Sequence, residues 1–281
     1  MDSSNKISPV STVYPPLSSS PFQRATAVCR RLASRFFVNR MGGAAVFFAG
    51  FLAVALLTRC ALLVKSASTV DWGAALAGAF ATGAVFDIGA GLFPAGLVAV
   101  ALAALPRGFF THRPGRVLAW VGVGVGAGLM LFGAVAEWLF WDEFGTRFNF
   151  IAVDYLIYTK EVTANIRESY PLPAIFGALA LVSAVLAFGL VRIGAIAIWM
   201  NAPAPPARRR WLVAAGWVGA AVLGAFALDS GRSPSFANTY NAELSRNGLW
   251  SLFAAFRNNE LNYDQFYATL PREAAFARLD T

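Results

Sequence analysis

The chain has 281 residues, of which 57% are hydrophobic and 14% charged, and its mean hydropathy is +0.57. A soluble globular domain carries about a quarter charged residues, so this composition predicts an integral membrane protein. The net charge of +8 does not point to nucleic acid, because that needs a basic face on a soluble domain and here the arginines sit in short loops beside apolar runs.

Residues 1–20 are rich in Ser and Pro and have no apolar period, and with the basic segment that follows they read as a disordered cytoplasmic tail over 1–40. Arg24, Arg30, Arg31, Arg35 and Arg40 precede the first apolar run, 41–64, which is long enough to cross the hydrocarbon core and too long for a signal-peptide core. Arginines on its leading side predict a retained anchor with the N-terminus inside. The stretch 72–105 would measure roughly 50 Å as a helix, more than a bilayer needs, so its first third is expected at the outer surface and its buried part over 83–105. Spans three to five are expected over 117–140, 173–200 and 211–228. The loops holding Arg107, Arg113 and Arg116, and Arg208 to Arg210, then fall on one side with the first basic segment. That agreement predicts an all-α protein of five membrane helices, with its C-terminus and the polar tail 229–281 outside.

Between spans three and four lies the longest polar interval, an external amphipathic segment over 142–171. Phe144, Phe148, Ile151, Tyr155, Tyr158 and Val162 recur at alternate spacings of four and three, the period of one helix face. This face is expected to lie in the interface or to dock a partner. The glycines of Val121 to Gly128 suit close helix packing better than a nucleotide loop, since no strand precedes them.

Ionisable residues inside spans are functional candidates. Arg59, Asp87 and Glu137 are expected at one depth near the outer leaflet. Asp87 could pair with Arg59 and Glu137 join them in a structural polar cluster or lipid-headgroup pocket; alternatively each snorkels to the interface alone. No catalytic group emerges. His112 is the single histidine, Cys29 and Cys60 lack a nucleophile's setting, and no serine stands on a G-x-S-x-G turn. No metal or cofactor is expected in this chain.

Three phrases, VFDIGAGLFPAGLVAVALAALP, WDEFGTRFNFIAVDYLIYTKEVTANIRESYP and TYNAELSRNGLWSLFAAFRNNELNYDQFY, resemble the membrane part of sulfatase-superfamily proteins of the lipoteichoic acid synthase type. The resemblance covers roughly residues 40–270. It implies five helices in a bacterial inner membrane, an extracytoplasmic linker over 229–281 and a catalytic domain of the alkaline phosphatase fold. The role it implies is transfer of phosphoglycerol or a related phosphoryl-alcohol from a lipid donor, or sulfate or phosphate ester hydrolysis. In that family a threonine nucleophile and a divalent metal serve the catalytic domain, and no position here matches those motifs. The expectation is therefore a module that anchors or positions a separate extracytoplasmic transferase near membrane lipids. A lipid-handling or transport protein, and an inactive remnant of a longer enzyme, are the alternatives.

Overall fold

A computed structural model of the protein describes residues 21–157, 166–228 and 235–258, and over these residues it is wholly helical. Five helices are long and apolar enough to cross a membrane: α2 (Gly42–Lys65), α3 (Ala74–Ala104), α4 (Arg113–Phe144), α6 (Leu172–Arg192) and α8 (Ala207–Ala227). Among the described residues shorter helices include α1 (Pro21–Phe36), α5 (Phe150–Ile157), α7 (Ala195–Asn201), α9 (Thr239–Leu244) and α10 (Gly248–Asn258), with a 3-10 turn at Phe109–Thr111.

The central helix is α3, flanked by α2 and α8, while α4 joins α2 to α6. Small residues allow this. Ala79, Gly83, Ala90, Ala95, Ala99 and Ala103 are buried along α3, so neighbouring backbones approach closely and dispersion contacts replace the hydrophobic drive that lipid removes. At one end of the bundle Met41, Ala44, Leu102 and Ala214 pack together; at the other, Leu62, Val70, Leu76, Trp141 and Leu244 do.

Charge divides the same two ends. Every described Asp and Glu lies at the end where α2 and α4 finish and α3 and α6 begin, here the acidic end. The opposite, basic end carries arginines as the charged side chains of the described residues. They stand on α1, at Arg40 before α2, at Arg107 between α3 and α4, at Arg113 and Arg116 at the start of α4, at Arg192 ending α6 and at Arg208 to Arg210 in the first turn of α8. There Arg40, 1% exposed, donates to Pro106 O at 2.8 Å and Leu105 O at 3.1 Å, and Arg210 also donates to Leu105 O. The two guanidiniums thus satisfy carbonyls left over at the C-terminus of α3, where the helix dipole favours positive charge. Burial, and then the neighbouring Arg210, lower the Arg40 pKa from the ordinary arginine value.

Several expected boundaries move. Residues 21–36 are helical, not disordered: Pro21 suits a first turn, and an apolar stripe with a basic flank gives the segment a face to pack. Residues 1–20 lie outside the described residues. The helix that holds the second span begins at Ala74, after Gly73 turns the chain at φ 102°, and Leu76 in its first turn joins the core at the acidic end. The third span is continuous over Arg113–Phe144 and stops where Gly145, at φ 65°, adopts the left-handed conformation that a side chain disfavours. The fourth ends at Arg192, since Gly194 at φ 76° starts the separate helix α7. The fifth spans Ala207–Ala227.

The glycine repeat does less than expected. A Cβ on Gly126 would meet Phe47 and one on Gly128 would meet Ser183 Oγ, whereas Gly122 and Gly124 face open space. Only the second half of the repeat is a helix contact.

Candidate functional site: a buried ionic clamp at the acidic end

Arg59 and Asp87 come from adjacent spans, α2 and α3, and both are buried, at 1% and 4% exposure. Arg59 reaches Asp87 because α3 presents Gly83 where any side chain would overlap the guanidinium. Arg59 Nη2 donates to Asp87 Oδ2 at 2.6 Å. Its Nη1 donates to the carbonyls of Leu244 and, at 3.2 Å, of Arg246. The Phe80 ring lies beside it, 5.9 Å from Arg59 Cζ to the ring centroid.

Glu137 is buried too, but its partner is Arg147, which the sequence reading did not single out. Arg147 is 2% exposed; its backbone N–H donates to Glu243 Oε2 at 2.9 Å and its Nε to Glu243 O at 3.2 Å. Arg246 Nη1 closes this side on Glu243 Oε1 at 2.6 Å. The three carboxylates Asp87, Glu137 and Glu243 thus face the three guanidiniums Arg59, Arg147 and Arg246. Balance matters, since removing one partner of a buried pair strands the other charge.

The residues that complete this cluster belong to one segment, 238–251. Asn238 caps α9 by accepting from Tyr240 N and Asn241 N, and its Nδ2 donates to Thr69 O at 2.7 Å. Asn241 exchanges two hydrogen bonds with the Asp71 backbone, at 2.8 and 3.1 Å. Asn247 Nδ2 donates to Asp87 Oδ1 at 2.7 Å, while its Oδ1 caps α10 by accepting from Trp250 N at 2.9 Å. Gly248 sits against the Glu137 carboxylate so closely that a Cβ would overlap it. Leu244 is fully buried, and Trp250 packs beside Phe86 and Phe93, with ring centroids 5.9 and 6.2 Å apart. Polar atoms taken out of water on three spans are met by a segment distant in sequence, which works as a clamp.

The expected common depth of Arg59, Asp87 and Glu137 therefore corresponds to two linked ion pairs. Leu244, Arg246, Asn247 and Gly248 cover them, so the cluster is a joint between chain segments. One signal for the missed residues was in the sequence: Asp87 and Glu137 against Arg59 leave an excess negative charge, which asks for a second cation nearby. Arg147, just past the end of α4, supplies it.

The expected docking face is not one helix. Phe144 ends α4, Gly145 breaks the chain, and Phe148 lies in the turn before α5, whose first residues are capped by Asn149 Oδ1 accepting from Ile151 N at 2.9 Å. Phe144 and Phe148 pack on Phe140 at 4.6 and 5.2 Å, and Phe144 packs on Tyr155 at 5.9 Å. The side of α5 turned inward carries Ala152 and Val153. Ile151 is half-buried, and Tyr158 and Val162 lie outside the described residues.

Among the described residues no three His, Cys, Asp or Glu side chains stand together as a metal-ligand set. No family model, curated protein or solved structure matches the chain.

Proposed function

We propose that this chain is a membrane-embedded positioning module, which holds an extracytoplasmic phosphoglycerol transferase of the lipoteichoic acid synthase-like type close to its lipid donor. The observation that carries this reading is the clamp. The segment 238–251 is fixed to α2, α3 and α4 through buried ion pairs and caps, so whatever follows α10 leaves the membrane domain from a set place. A simple anchor needs one apolar helix and no such joint. In this reading the basic end faces the cytoplasm and the acidic end faces out, as basic loops remain inside. Phe253 and Phe256, both exposed on α10, then rest at the outer interface. A divalent metal and the nucleophile belong to the transferase.

Lipid handling by this chain alone is a second reading. It draws on an apolar groove of about 480 Å³ between α2, α4 and α6, lined by Leu57, Leu131, Val135, Trp138 and Leu179 among others. An acyl chain suits such walls.

The test is transfer of labelled phosphoglycerol from a lipid donor into envelope glycan, in cells that lack the chain. Positioning predicts that transfer falls, that the wild-type chain restores it, and that Gly248→Val inserts in the membrane without restoring it. Undiminished transfer in the deletion strain would contradict the proposal. Restoration by Gly248→Val, with loss on filling the groove at Leu131→Trp, would favour lipid handling.

A further inference from the structure

The basic end has an exposed feature that the clamp does not use. Helix α1 packs on α7, which also touches α6 and α4. Arg30 Nε donates to Ile193 O at 3.1 Å, and Phe37, just past α1, packs 6.4 Å from Trp199. Trp199 is at bundle level, since its indole N–H donates to Arg40 O at 2.9 Å and its ring abuts Gly43 at the start of α2. So α1 is held at the basic end of the bundle on one side.

Its other sides are open. Val28 and Leu32, one turn apart, are 56% and 50% exposed. At 100° per residue, Arg31 and Arg35 form a second exposed row about 60°, a sixth of a turn, around the helix from them. An apolar stripe flanked by arginines is the pattern of a helix lying in a headgroup layer, with its apolar side in the acyl boundary and its cations among phosphates. The charge is one-sided as well: among the described residues no carboxylate lies at this end beside Arg31 and Arg35.

We infer that α1 is a binding surface for anionic phospholipid headgroups, selecting them over zwitterionic ones at the membrane face opposite the clamp. The inference rests on charge and exposure at the basic end and stands independently of the proposed function. Arg31 and Arg35 supply phosphate contacts and Val28 and Leu32 the insertion. Arg40 and Arg210 are occupied with α3 carbonyls and take no part.

Cys29, on α1 and exposed, provides the probe site once the other cysteine is removed by Cys60→Ala. The full chain, labelled at Cys29 with an environment-sensitive fluorophore, is placed in nanodiscs of phosphatidylcholine with or without phosphatidylglycerol. Emission should shift to the blue with phosphatidylglycerol, and salt should reverse the shift as screening sets in. In Arg31→Gln/Arg35→Gln the phosphatidylglycerol needed for half the shift should rise about thirtyfold, since each of the two arginines near an anionic surface strengthens binding roughly fivefold. Val28→Ser/Leu32→Ser should abolish the shift while leaving the melting temperature of the bundle unchanged. Equal emission in both lipids, a shift that survives the double arginine variant, or a shift that depends on two copies per disc would overturn the inference.

Discussion

Arg59 Nη2 and Asp87 Oδ2 stand 2.6 Å apart between two adjacent spans, with the side chains 1% and 6% exposed. Desolvating both ions is costly, and only their mutual attraction together with Asn247, Leu244 and Arg246 offsets it. Breaking the pair should therefore be worse than deleting it. Asp87→Leu is expected to destabilise the protein by about 3–5 kcal/mol because it strands Arg59. Arg59→Leu/Asp87→Leu should cost less than either single change. Thermal melting in detergent micelles, read on the two singles and the double, checks this through the sign of the coupling.

Gly248 and Gly83 are the places where the clamp tolerates no side chain. Gly248→Val overlaps the Glu137 carboxylate and Gly83→Val overlaps the Arg59 guanidinium. Overpacking of this kind costs about 1–3 kcal/mol. It acts on the joint between the segment and the spans, so the expected result is membrane insertion as before with faster protease cleavage within 238–251. Cleavage at the wild-type rate in both variants would show that the contacts yield without opening the clamp.

Asn247 links the ion pair to the start of α10, bonding Asp87 with one end of its amide and Trp250 N with the other. Loss of a helix cap is worth about 1 kcal/mol, and an unmet buried carboxylate oxygen adds a similar or larger amount. Asn247→Ala loses both the cap and the bond to Asp87, whereas Asn247→Asp keeps the cap but loses that bond and repels Asp87. Both variants should fall below wild type in the same melting assay.

Trp250 fills the space between Phe86 and Phe93 over Gly89. Trp250→Ala removes that packing at a cost of about 3 kcal/mol, whereas Trp250→Phe keeps most of it. Quenching of tryptophan emission by a water-soluble quencher, compared between wild type and Trp250→Phe, should show Trp250 to be among the shielded indoles.

The spans were legible because each apolar run exceeds what any soluble core requires, and their ends were less so. Gly73, Gly145 and Gly194 set three of the ends through positive φ, and a glycine inside or beside an apolar run does not say which it will do. Asp87 and Arg59 stood out as charges within hydrocarbon. Arg147, Glu243 and Asn247 did not, because each lies in a polar loop where charge is ordinary; only the fold brings residues from opposite ends of the sequence, Arg59 and Arg246, within 3.2 Å. The aromatic face after α4 was misread because the period of helix α4 continues past Gly145 in the sequence while the backbone turns. Helix α1 was hidden by its neighbours: arginines next to a Ser/Pro-rich tail resemble a solvated segment until α7 is seen beneath it.

The central claim is that 238–251 is a fixed part of the membrane domain. Amide hydrogen exchange of the full chain in nanodiscs tests it most directly. The amides of Ser245, Trp250 and Ser251, which are bonded to Asn241 O, Asn247 Oδ1 and Asn247 O, should exchange nearly as slowly as those of α3, and Asp87→Leu should speed them selectively. Exchange in the wild type at the rate of an unstructured peptide would contradict the clamp and, with it, the positioning role.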